Sequence, residues 1–89
     1  IYAFAAGMVK SAEAHGIAYD DAMKLFCQTL IGSAKMLLRR DKTPAELIRA
    51  VCSPGGTTIE GMKVLEDRDL YGIVSEACDK CIKRAYELG

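Results

Sequence analysis

The chain has 89 residues, about half of them apolar (51%), with 12 basic and 12 acidic side chains and no net charge. That length limits it to one domain, and the balanced charge creates no long-range field to draw nucleic acid or an anionic membrane. No apolar run reaches the ~20 residues that cross a bilayer, so neither nucleic acid nor membrane is expected as a partner. A chain this short buries a modest fraction of its surface and often needs a partner chain to be stable. It also opens without Met, inside the apolar pattern IYAFAAGM, and shows no secretory signal. A piece of a longer protein is therefore expected, read as one unit over residues 1–89.

The hydrophobic periodicity is helical from end to end, with no alternating stretch long enough for a strand. A first helix is predicted over residues 1–15, with Ile1, Ala5, Met8, Val9 and Ala12 on one face and Gly16 as its C′ residue. A second is predicted over residues 19–40. Asp20 and Asp21 suit its positive end, and Arg39 and Arg40 its negative end. Between Leu25 and Leu38 it is apolar nearly all round, so it is expected to be the buried central helix. Its small run Gly32, Ser33, Ala34 would let another helix come close.

Thr43-Pro44-Ala45-Glu46 sets Thr at an N-cap, Pro at N1 and Glu at N3, a capping box that opens a short third helix. That helix should stop near Cys52, because Pro54 disfavours helical geometry at Ser53. A fourth helix is predicted from just after Gly56 to about Asp67. A fifth starts behind Asp69 as N-cap and ends at Gly89. Its stripe runs through Leu70, Ile73, Val74, Ala77, Cys78, Cys81, Ile82, Ala85 and Leu88. Its other face offers the i,i+4 pairs Glu76–Lys80 and Asp79–Lys83. The fold class is all-α, a bundle of about five helices. Helices two and five carry more apolar surface than a small bundle can hide, so they are expected to meet a second chain.

Several features with chemical potential read more simply as structure. Cys78 and Cys81 form CxxC, but no second pair or spaced His completes a zinc site. Lying on an apolar stripe, they read as small hydrophobes, consistent with a reducing cytoplasm. The cluster Lys35, Arg39, Arg40 and Lys42 falls where cations complement a helix C-terminus. His15, the sole histidine, sits at a helix end and reads as a surface cap. Glu60 and Glu66 read as solvated helix residues.

The segment CSPGGTTIEGM at residues 52–62 is different. It packs Ser53, Pro54, Gly55, Gly56, Thr57 and Thr58 into six consecutive positions. It has neither the GxxxxGK[ST] nor the GxGxxG spacing. Two readings are open. In one, a Thr caps helix four and the glycines make the turn. In the other, the N–H groups of Gly56, Thr57 and Thr58, with the positive helix end, bind a carboxylate or phosphate.

The run SPGGTTIEGMKVLE resembles the signature near the C-terminus of pyrroline-5-carboxylate reductase. GSAKMLL followed by TPAELIRAVCSPGGTT fits the same family in order and spacing. The opening IYAFAAGMVKSAEAHGI is similar to the first helix of that enzyme's C-terminal domain. The resemblance covers essentially all 89 residues, and it implies an enzyme that reduces 1-pyrroline-5-carboxylate to L-proline with NADPH or NADH in the cytoplasm. It implies that this chain is the helical dimerisation and substrate-binding domain, interlocked with a second copy as a homodimer and open to higher assembly. The Rossmann domain that holds the cofactor, absent from this chain, would lie N-terminal to it, so this chain alone is expected to be inactive.

Carried over onto the loop, the resemblance makes Ser53 and the N–H groups of Gly56 and Thr57 the holders of the substrate carboxylate. Thr58 becomes the catalytic residue, presenting its hydroxyl to the ring nitrogen of the C=N bond. Hydride would come from the nicotinamide bound by the other domain. Position 57 is often Ala in the family, so only its N–H is expected to matter. The competing expectation is a non-enzymatic helical interaction module whose SPGGTT loop is only a turn and a cap.

Overall fold

In the computed structural model, which describes residues 1–89, five α-helices follow in chain order with no strand: α1 (Tyr2–Ala14), α2 (Tyr19–Arg39), α3 (Pro44–Val51), α4 (Thr57–Asp67) and α5 (Leu70–Leu88). The helices form two units, Ile1–Pro44 and Ala45–Gly89. The all-α class and the element count agree with the sequence.

In the first unit, α1 and α2 pack on each other along the predicted face. Val9 of α1 and Ala22 of α2 are the two buried side chains, with Ala5, Ala12, Met23 and Phe26 half-buried beside them. Small residues at 5, 12 and 22 let the two helices approach closely, and Phe4 meets Phe26 with ring centroids 5.9 Å apart. The α1 terminus closes in a Schellman motif: the Ile17 N–H donates to the Ala12 carbonyl and the Gly16 N–H to that of Glu13, each at 3.0 Å. Gly16 takes the left-handed conformation this motif requires, at φ +92°. His15 adds a cap of its own, its Nδ1–H donating to the Ser11 carbonyl at 2.8 Å.

Helix α2 ends one residue sooner than its charge pattern predicts. Arg40 turns left-handed, at φ 65°, and its N–H closes on the Leu37 carbonyl. Arg39 is drawn to Asp41 at 3.1 Å. Burial of this helix departs from expectation. Leu25 is 62% exposed, Leu38 is 76% exposed, and every residue from 31 to 40 lies at the surface. One neighbouring helix can cover only one face, so a helix apolar on most sides stays exposed within a single chain.

In the second unit, Asp69 caps α5, its carboxylate accepting the Gly72 N–H at 3.2 Å. Gly72 suits this cap because a Cβ there would run into the Asp69 carboxylate. Half-buried Leu47, Ile48, Ile59, Met62, Leu65 and Leu70 line the inner faces, but no side chain in this unit is fully buried. The α5 stripe is open: Ile73, Val74 and Ile82 are each more than half exposed, and Cys78 and Cys81 lie at the surface as free thiols instead of in a core. The ion pairs expected at 76–80 and 79–83 do not form; the i,i+3 pairs present are Glu60–Lys63 on α4 at 3.2 Å and Arg84–Glu87 at the end of α5 at 3.1 Å. Exposed pairs of this kind gain little over solvation, so the long side chains choose among near-equal partners.

Candidate functional site

Helix α3 ends at Val51, and the chain then makes a tight turn over residues 53–56. The Gly56 N–H donates to the Ser53 carbonyl at 2.9 Å. Pro54 occupies the second position of the turn and Gly55, at φ +74°, the third. A proline followed by a left-handed glycine is the sequence a type II turn demands. A Cβ at Gly55 would meet nothing within 4 Å, so glycine stands there for its backbone and not for space.

Gly56 serves a second purpose. It is the N-cap of α4, extended at φ −84° and ψ 174°, and no side chain completes the cap. A Cβ on Gly56 would come within 3.1 Å of the Ser53 carbonyl oxygen, so the closed turn itself favours glycine. Two sequence readings change here. The cap is Gly56 rather than a Thr, which leaves Thr57 and Thr58 as the first two helical residues. The Gly56 N–H, expected to hold an anion, is already engaged by the Ser53 carbonyl.

The N–H groups next in line belong to Thr57, Thr58 and Ile59, which have no carbonyl one turn back to receive them. They open at the positive end of an eleven-residue helix. Ser53, Thr57 and Thr58 are all exposed, and Gly56 and Ile59 are half-buried. Thus the structure gathers Ser53, Gly56, Thr57 and Thr58 within one turn and one helix start. What this arrangement can do chemically is hold an anionic group on backbone N–H donors with hydroxyls beside it. It offers no proton-transfer group of its own: residues 53–58 contain no titratable side chain.

A feature the sequence reading did not single out lies next to the loop. An open groove of about 470 Å³ runs between α3 and α4, lined by Ile48, Arg49, Cys52, Ile59, Met62, Lys63 and Glu66. Ser53, Thr57 and Thr58 do not line it. The signal available in the sequence was the spacing of Ile48 and Cys52, and of Ile59 and Met62, apolar positions about one turn apart on either side of a tight loop. Glu60 stays at the surface in its pair with Lys63, and Glu66 contributes to the groove. No group of three or more His, Cys, Asp and Glu side chains converges as metal ligands would. No helix is long and apolar enough to cross a membrane.

Comparison with known proteins bears directly on this loop and its helices. The family model for pyrroline-5-carboxylate reductase dimerisation matches residues 1–88. Pyrroline-5-carboxylate reductase of Escherichia coli (strain K12) is 39% identical over 88 residues, which are 99% of this chain and 33% of that protein. Pyrroline-5-carboxylate reductase 3 of Xenopus laevis is 38% identical over 89 residues, 100% of this chain and 32% of that one. Among solved structures, 1-pyrroline-5-carboxylate reductase from Streptococcus pyogenes superposes with a TM-score of 0.90 at 39% identity, covering 94% of this chain and 32% of its own. The Plasmodium falciparum pyrroline carboxylate reductase, solved with NADP bound, gives a TM-score of 0.89 at 25% identity, over 93% of this chain and 32% of its own. The chain spans about a third of the length of the relatives it matches, in their C-terminal portion. With its helices, its loop and nearly every residue accounted for by one family, the chain belongs to the pyrroline-5-carboxylate reductase dimerisation family.

Proposed function

We propose that this chain is the dimerisation and substrate-binding part of an enzyme that reduces 1-pyrroline-5-carboxylate to L-proline with NADPH or NADH. The observation that carries the site is the uncapped start of α4: Gly56 is the N-cap, and no side chain occupies the donors that follow. The substrate is a small ring with a carboxylate, and a carboxylate is the group a helix N-terminus favours. The N–H groups of Thr57 and Thr58 and the Ser53 hydroxyl take the carboxylate. Gly56 keeps the approach clear of a Cβ, and its own N–H keeps the turn shut. With the acid end fixed, the Thr58 hydroxyl meets the ring nitrogen and orients the C=N bond. Orientation of this kind converts binding energy into rate without any acid or base on the loop.

The chain's residues do not fit a nicotinamide dinucleotide. There is no strand and no GxGxxG at a strand-to-helix turn, the pair a dinucleotide fold uses. The cofactor therefore belongs to a separate N-terminal domain of the complete protein, and the chain alone does not turn over substrate. The working unit is a homodimer, and its exposed α2 and α5 faces supply the contact. Four free thiols suit a reducing compartment, the cytoplasm.

The test is a pair of variants in the complete protein. Thr58→Ala lowers kcat/KM for pyrroline-5-carboxylate roughly 10-fold or more, since one hydrogen bond near the reacting centre contributes about 1.4 kcal/mol. Thr57→Ala stays within about twofold, because the backbone N–H survives the change. Equal, small effects at both positions would remove Thr58 from the mechanism.

A further inference from the structure

We draw no further inference here: the strongest candidate, the open groove between α3 and α4 lined by Ile48, Cys52, Ile59 and Met62 with Arg49, Lys63 and Glu66, carries nothing because no feature of the structure says what covers it beyond the second copy expected of a dimerisation family.

Discussion

Gly55 and Gly56 stand side by side, yet they are glycine for different reasons. Gly55 is held at φ +74° with open space around it, and Gly56 has ordinary torsions but sits against the Ser53 carbonyl. The two should therefore respond differently to substitution. A left-handed residue with a Cβ costs roughly 1–2 kcal/mol, so Gly55→Ala should lower unfolding free energy by about that amount in urea titration. Gly55→Asn should lose less, because Asn tolerates the conformation. Equal stability of Gly55→Ala and the parent would mean the turn is not held as described. At this scale the sequence was partly legible. The excess of glycine and hydroxyl residues marked the loop, and the missing phosphate motifs set its chemistry apart. The choice of Gly56 as cap was not legible. Ser, Thr and Gly all serve as N-caps, and the register depends on which N–H closes the preceding turn.

Among the elements, α5 was the most readable. Asp69 was predicted as N-cap from its place before the apolar stripe, and its carboxylate does accept the Gly72 N–H. Asp69 is also left-handed, at φ 56°, a conformation its short polar side chain tolerates. Asp69→Ala loses both the cap and that tolerance, and should cost about 1–2 kcal/mol in chemical denaturation. Asp69→Asn keeps an acceptor and should cost under about 0.5 kcal/mol on the same basis. If the two variants were equally destabilised, the carboxylate bond would not be what starts α5. Helix α2 was the least readable element. Its boundaries followed from Asp20, Asp21, Arg39 and Arg40, but its burial did not. Apolar residues on most sides say that a helix will be covered, and they do not say by which chain. The same reason explains Cys78 and Cys81, which are surface thiols within this chain although they sit on a regular apolar stripe.

For the whole molecule, this shortage of internal cover is the main consequence. Only Val9 and Ala22 are buried among 89 residues, while Leu25, Leu38, Ile73 and Ile82 are each more than half exposed. Apolar surface removed from water contributes about 25 cal/mol per Å², so a second copy laid on these faces has a large driving force. The chain should sediment near 19.4 kDa at micromolar concentration, twice the 9.7 kDa of one copy. Ile82→Glu would set a charge in that contact and should shift the species toward 9.7 kDa. Lys80→Gln, an exposed change off the apolar stripe, should leave the dimer intact. A monomeric parent chain would contradict this reading of α2 and α5.

The class of fold was legible because one helical period runs from end to end. The need for a covering partner was legible because that period left more apolar surface than the chain could cover. The proposed substrate rests on the likeness of residues 53–66 to one enzyme family, since the loop's own chemistry reaches only as far as an anion. Turnover by the complete protein decides whether that anion is the carboxylate of pyrroline-5-carboxylate. Supplied with pyrroline-5-carboxylate and either NADPH or NADH, the complete protein should form proline and oxidise the cofactor in step, while the 89-residue chain alone should do neither. Absence of substrate-dependent cofactor oxidation by the complete, folded protein with both cofactors would rule out pyrroline-5-carboxylate as its substrate.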